Sequence, residues 1–116
     1  MADPFAIDGL INERRANGAT QWMVDNAANI GTAKAEMQRA DNMLRVVKSL
    51  VVAASDAKTV GEREAEAYSS ERYRDAVDAL FVATRTYETL RSTQEAAKYM
   101  IDMFRSQNAA QRASRV

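Results

Sequence analysis

The stretch that decides the fold is residues 23–54, MVDNAANIGTAKAEMQRADNMLRVVKSLVVAA. Within it, two sets of residues each recur every seven positions, and the second set follows the first by three. The first set is Met23, Ile30, Met37, Leu44 and Val51, and the second is Asn26, Ala33, Ala40, Val47 and Ala54. This spacing is the a/d register of a helix that packs along one seam against another helix. It predicts a long helix, with Thr20 as its N-cap, in spite of Gly31.

A second run in the C-terminal half has the same spacing. Nine positions alternate by four and three residues, and eight of them are apolar: Ala76, Leu80, Ala83, Tyr87, Leu90, Gln94, Ala97, Ile101 and Phe104. We predict a second long helix here, with Ser70 as a cap and Glu71 in the first turn, where the helix dipole favours a carboxylate. Two long helices with matching seams predict an all-α fold, an antiparallel long-helix hairpin that resembles a coiled coil.

Breaker residues delimit the remaining elements. Asp3-Pro4 is typical of a helix start and Asn17-Gly18 of a helix end, while residues 55–61 break the heptad register. A chain of 116 residues is long enough for one domain. The predicted organisation is a single helical domain over 1–116, with a short helix over 4–17, a long helix over 21–57, a connecting turn over 62–68 and a long helix over 71–110.

The composition excludes several functional classes. The chain has 16 Lys and Arg and 16 Asp and Glu, so its formal charge is zero, which argues against coating duplex DNA through bulk positive charge. It has no Cys and no His, which excludes disulfides, Cys/His zinc sites and catalysis by either residue. There is no glycine-rich phosphate loop, no apolar run of ~20 residues and no signal peptide. We expect no catalytic residue, no metal, no cofactor, no enzyme activity and no membrane segment.

One cluster of carboxylates could hold a divalent cation through hard oxygen ligands. However, its spacing of two residues spreads the side chains around a helix, and two arginines supply counter-ions. We favour a solvated helix start over a metal site for this cluster, Glu62, Glu64, Glu66 and Glu71.

The C-terminal stretch is basic. After Asp102 the chain has no further acidic residue, while Arg105, Arg112 and Arg115 follow, the first two on one helical face. Arginines that hold phosphates, beside aromatic rings that stack on bases, are typical of single-strand binding. The same cations also complement the negative end of a helix dipole, so a structural role stays open. A basic strip on the first long helix could extend the site: Lys34, Arg45 and Lys48.

Several apolar side chains lie off both seams. A lone two-helix hairpin leaves them uncovered, so they must meet the N-terminal helix or another subunit. We therefore expect a homo-oligomer, and the candidate oligomer-interface residues are Val77, Phe81, Met100 and Met103.

Three short motifs follow one another along the chain: WMVDNA at 22–27, EAYSSERY at 66–73 and IDMFRS at 101–106. Their order and spacing resemble a family of small tailed-phage proteins, whose pattern runs aromatic-x-V-D-N-A, then E-A-Y-[AS]-S-P-x-Y, then I-[DE]-x-[WF]-R-S. Glu71 stands where that family usually has proline, and Phe104 replaces a frequent tryptophan.

The family is similar in layout to phage recombination mediators of the UvsY type, which are helical, oligomeric proteins that bind single-stranded DNA and help to load a recombinase. The resemblance implies single-stranded DNA, and a phage recombinase or host protein, as partners in the cytoplasm of an infected bacterium. It adds Tyr68 and Tyr73 to the candidate DNA contacts. Both tyrosines could instead pack the connection over the hairpin, and we favour that role.

Two other functions stay open. The neutral charge suits a helical protein–protein interaction module that inhibits or recruits a host or phage protein. The coiled-coil character suits a virion assembly factor.

Overall fold

A computed structural model of the protein describes residues 10–115. In this part of the chain there are three helices and no strand: α1 over Glu13–Ala54, α2 over Val60–Ser69 and α3 over Glu71–Ser114. The fold is all-α, and α1 and α3 form the predicted antiparallel hairpin.

Both predicted seams face inward. Every position of the α3 seam is buried or half-buried, and so are nine of the ten seam positions on α1. Two small residues are the most deeply buried positions of the seams, since Ala33 is 4% and Ala97 0% exposed. The exposed exception is Ala54, which is the last residue of α1. The heptad prediction is therefore confirmed in its detail.

The predicted break between helices over 4–17 and 21–57 is wrong, because α1 runs without interruption through Asn17-Gly18. Gly18 lacks the positive φ of a helix C-cap. Its helical conformation costs about 1 kcal/mol relative to alanine. The neighbours Ala16 and Ala19 are 5% and 1% exposed and pack into an apolar core, and this burial outweighs the local cost.

The N-cap of α1 is Asn12 rather than Thr20. The Asn12 side chain accepts a hydrogen bond of 2.8 Å from the backbone N–H of Arg15. Thr20 lies inside the helix, where its hydroxyl donates to the carbonyl of Ala16 at 3.1 Å. The part of the predicted N-terminal helix over 4–9 lies outside the described residues.

The connection between the long helices is more ordered than predicted. The turn expected over 62–68 is the ten-residue helix α2, and α1 ends at Ala54 rather than at 57. Thr59 caps α2 by accepting a hydrogen bond of 3.1 Å from the N–H of Glu62. The Thr-x-x-Glu spacing of these two residues is a capping-box pattern that the sequence reasoning overlooked.

Ser70 joins α2 to α3, as predicted for the start of the last helix. Its hydroxyl accepts a hydrogen bond of 3.2 Å from the N–H of Tyr73 and donates one of 2.7 Å to the carbonyl of Ala67. Glu71 occupies the first turn of α3. The helix continues to Ser114, four residues beyond the predicted end.

The chain divides into two compact units. The first comprises Met1–Ile30 and Thr89–Val116, and the second comprises Gly31–Glu88. The core of the first unit consists of Ile11, Ala16, Ala19, Ala97 and Met100, with Trp22, Met23, Ile101, Met103 and Phe104 packed against it. In the second unit the buried apolar residues are Ala33, Val47 and Ala67. That the chain is one domain stays a prediction.

Candidate nucleic-acid interface

The described part of the first unit is basic. Its residues 10–30 and 89–115 carry seven Lys and Arg against four Asp and Glu. Two further aspartates, Asp3 and Asp8, belong to the stretch outside the described residues. The second unit carries nine Lys and Arg against ten Asp and Glu. With these two aspartates the first unit has seven cations and six carboxylates, and its positive charge is concentrated in residues 89–115, which carry five Lys and Arg against two Asp and Glu.

Four of these cations form a regular row on α3, which we call the cationic row: Arg91, Lys98, Arg105 and Arg112. Each lies seven residues from the next, and all four are exposed. Residues seven apart share one face of a helix, at intervals of about 10 Å. The sequence reasoning found Arg105 and Arg112 but overlooked Arg91 and Lys98, which the same spacing would have identified.

Three of the four cations in the row form no ion pair within the described residues. Arg91 pairs with Glu95 at 3.3 Å, an exposed contact of a kind worth about 0.3–0.5 kcal/mol. Among residues 10–115, no ion pair involves Lys98, Arg105 or Arg112. As far as residues 10–115 are concerned, these three side chains can therefore meet an anion without first breaking an ion pair.

The predicted residue Arg115 lies just beyond α3 and is exposed, and its N–H donates to the carbonyl of Arg112 at 3.3 Å.

Two aromatic residues are next to cations of the row in the sequence. Tyr99, next to Lys98, is 60% exposed, whereas Phe104, next to Arg105, packs against the core. Tyr99 is thus an exposed ring in this unit that a nucleic-acid base could stack on.

Three predicted residues of the second unit come together. The Lys48 Nζ lies 4.8 Å from the centre of the Tyr68 ring, and the rings of Tyr68 and Tyr73 meet edge to face at 5.2 Å. Lys48 also approaches Glu64, at 4.0 Å. The Tyr68 side chain, assisted by the charges of Glu64 and Tyr73, raises the pKa of Lys48 above its ordinary value.

This cluster has the character of a packing contact. One surface of the Tyr68 ring faces the Lys48 ammonium group and another meets Tyr73, so the ring already has partners inside the protein. The cluster connects α1, α2 and α3 at the helix junction. Its geometry supports the structural role that we favoured for the two tyrosines.

The other predicted cations of the second unit are less concentrated. Arg45 pairs with Asp41 at 3.5 Å, and both side chains are well exposed. Lys34 is exposed and forms no ion pair within the described residues. Because cations and carboxylates nearly balance in this unit, its other charges add little positive potential around Lys34 and Arg45 that would attract an anion.

Two of the predicted interface residues are used inside the chain. Met100 is 1% exposed and belongs to the core of the first unit, with Met103 packed against it. The assignment of Met100 to an oligomer interface is corrected, because Met100 is buried in a core that Ile11 and the alanines of α1 help to form. Met103 is half-buried against this core. Val77 and Phe81 are 41% and 66% exposed and stay available.

The acidic cluster is dispersed among different contacts. Glu64 faces Lys48, and Glu66 accepts a hydrogen bond from the Ser55 hydroxyl. In residues 10–115 no group of three or more Asp, Glu, His or Cys side chains is arranged to hold a metal ion. In the same range, no helix has the length and apolar character needed to cross a membrane.

Comparisons with protein families, with curated proteins and with solved structures find no match for this chain. The likeness to the tailed-phage family therefore depends on the three motifs quoted above.

Proposed function

We propose that the protein binds single-stranded DNA through the cationic row and serves, without catalysis, as an accessory factor in phage recombination or replication. The observation that carries this proposal is the row itself, with four exposed cations at seven-residue intervals, three of them without an ion pair within the described residues. The place of action would be the cytoplasm of the infected bacterium. A recombinase or a host protein would be the protein partner.

A single line of charges suits a single strand. Phosphate contacts supply most of the affinity of nonspecific binding, and exposed aromatic rings add stacking with any base. The cationic row offers the phosphate contacts, and the exposed ring of Tyr99 offers a surface for stacking. The zero net charge of the chain disfavours coating a duplex, because long-range attraction to two strands of phosphates would be weak.

Fluorescence anisotropy of a labelled oligothymidine, titrated at low and at physiological salt, tests the proposal. The row variant is Arg105→Ala/Arg112→Ala, and the matched control is Lys34→Ala/Arg45→Ala, which removes the same charge from the second unit. We expect the row variant to weaken binding and to reduce the slope of log K against log salt by about 1.4, that is ~0.7 for each lost phosphate contact. The control variant should bind like the wild type.

Two outcomes would contradict the proposal. One is a folded wild-type protein that does not bind the oligonucleotide even at low salt. The other is equal weakening by the row variant and the control, which would show that total charge rather than the row determines binding.

A further inference from the structure

Exposed apolar side chains concentrate in the second unit. Of eleven large apolar or aromatic side chains that are at least 41% exposed, eight lie within Gly31–Glu88. Contiguous exposed apolar surface marks a place where another molecule binds. The question is which part of this surface is continuous and what would cover it.

An open groove runs between α1 and α3 within this unit. Its floor is apolar, and three charged residues stand at its rim; the lining residues are Arg39, Ala40, Met43, Val47, Arg72, Asp75, Ala76 and Ala79. The two alanines of α3 are small, so another backbone could approach the floor closely.

More apolar side chains extend both walls of the groove. On α1, Met43, Val46 and Leu50 are spaced by three and four residues and therefore share a face, and they are 46%, 46% and 49% exposed. On α3, Val82 lies three residues beyond Ala79 and is 62% exposed. The apolar surface thus continues past the groove in both directions along the helices.

The charge of the second unit permits two copies to meet there. It carries nine cations and ten carboxylates, so two copies have little net repulsion. The first unit, with seven cations and six carboxylates, is equally close to neutral. Net charge therefore permits a contact between two chains at the second unit without favouring it over the first.

The rim charges complement each other under a two-fold rotation. Because α1 and α3 are antiparallel, Met43 and Val47 lie beside Ala79 and Ala76 in the groove. A two-fold axis perpendicular to the helices, at the level of Met43, reverses the direction of the groove. It brings residue 39 of one copy to the level of residue 47 of the other, which is the level of Asp75.

This rotation places α1 over α1 and α3 over α3 of the two copies, so each Arg39 would lie at the level of Asp75 of the second copy, on the opposite wall of the groove. Each such approach would occur twice, as an isologous interface requires. The same rotation brings Arg72 to the level of Glu36, which shares a helical face with Arg39. Within residues 10–115, none of these four side chains forms an ion pair. No described residue therefore competes, through an ion pair, with pairing of these charges across an interface.

We propose that the groove lined by Met43, Val47, Ala76 and Ala79 is covered by the same groove of a second copy in antiparallel orientation, with reciprocal Arg39–Asp75 ion pairs. This inference does not depend on DNA binding. It replaces all four residues of the predicted interface, because Met100 and Met103 pack within the chain and Val77 and Phe81 lie outside the groove.

Sedimentation equilibrium without DNA tests the interface by charge reversal. We expect a dimer for the wild type, with weakening by at least about tenfold for Arg39→Asp and for Asp75→Arg, because each places like charges opposite one another. The double variant Arg39→Asp/Asp75→Arg should recover most of the wild-type association. Circular dichroism checks that each variant is folded.

Met43→Glu gives a second measurement, since a charge on the groove floor should yield a monomer. Its matched control is Phe81→Ser, which removes a more exposed apolar side chain outside the groove and should leave the dimer intact. The proposal fails if the wild type is monomeric at all concentrations, if the double variant associates no better than the single variants, or if Phe81→Ser dissociates the dimer.

DNA binding can be separated from this result. A Met43→Glu monomer should retain the wild-type affinity for an oligonucleotide long enough for one row, and lose affinity for a long strand that two rows would share. Loss of dimerisation with unchanged binding of the short strand therefore tests the interface alone.

Discussion

The backbone N–H of Ile11 donates a hydrogen bond of 3.0 Å to the Oε1 of Gln107, 96 residues later in the chain. Ile11 is 3% exposed and lies in the core of the first unit. Its N–H therefore has little access to water, and the Gln107 amide supplies the acceptor. This bond fixes the segment just before the N-cap of α1 against the last turns of α3.

We expect Gln107→Leu to lower the free energy of unfolding by about 1–3 kcal/mol, because the buried N–H of Ile11 loses its acceptor. Urea denaturation measures the change. Gln111→Leu is the control, since Gln111 is exposed on the same helix and should alter stability by less than about 0.5 kcal/mol. Equal effects of the two substitutions would show that the hydrogen bond contributes nothing specific.

The serine pair at the α2–α3 junction gives a second prediction. Ser70→Ala removes the acceptor for the N–H of Tyr73 and should destabilise the protein by about 1 kcal/mol. The hydroxyl of Ser69 only donates to carbonyls within α2, so Ser69→Ala should change stability little. Thermal unfolding of the two variants compares them directly. A larger loss for Ser69→Ala would contradict the assignment of Ser70 as the cap.

Gly31 lies in the middle of α1, and a Cβ placed there would meet no atom within 4 Å. Gly31→Ala should therefore raise the free energy of unfolding by about 0.5–1 kcal/mol, through helix propensity and a less flexible unfolded chain. Ala35→Gly, at another exposed position of α1, should lower it by a similar amount. A neutral or destabilising Gly31→Ala would indicate that something covers this position in the assembled protein.

Tyr68 distinguishes packing from base stacking. Tyr68→Ala should cost about 1–2 kcal/mol of stability by removing the contacts with Tyr73 and Lys48, whereas Tyr68→Phe keeps the ring and should cost little. Neither variant should change the affinity for single-stranded DNA. A loss of DNA affinity in a folded Tyr68→Ala protein would transfer this residue to the binding site.

The Tyr68 hydroxyl is the basis of a separate prediction. Tyr68 is the main cause of the raised pKa of Lys48, so Tyr68→Phe should move that pKa back towards its ordinary value. A pH titration of the Lys48 side chain by NMR measures the shift. An unchanged pKa would show that Glu64 and Tyr73 keep the pKa of Lys48 raised without the Tyr68 hydroxyl.

The long helices could be predicted from sequence because apolar residues recur along them at a regular interval. The same spacing recurs in every heptad, so the one polar position at Asn26 does not obscure the register from Met23 to Val51. The boundary at Asn17-Gly18 could not be read in this way. Local propensity predicts a stop there, and what overrides it is burial of Ala16 and Ala19 against residues some 80 positions away in sequence, such as Ala97 and Met100.

The candidate site shows the same limit. Arg105 and Arg112 were found from local charge. Whether a methionine off the seam is exposed depends instead on which segments of the folded chain pack over it. Met100 is covered because the segment at Ile11 folds over it, and Met43 is uncovered because no described segment does so. Both are apolar residues off the centre of a heptad seam, and the sequence pattern does not separate them.

The seven-residue interval of the cationic row has a consequence for the path of a bound strand. An α-helix has 3.6 residues in each turn, so positions seven apart drift by about 20° per repeat. Between Arg91 and Arg112 the drift amounts to about 60°, and the charges trace a shallow left-handed spiral on the helix surface. An oligonucleotide that reaches all four charges must curve around α3, which a stiffly stacked oligoadenine does less readily than a pliable oligothymidine.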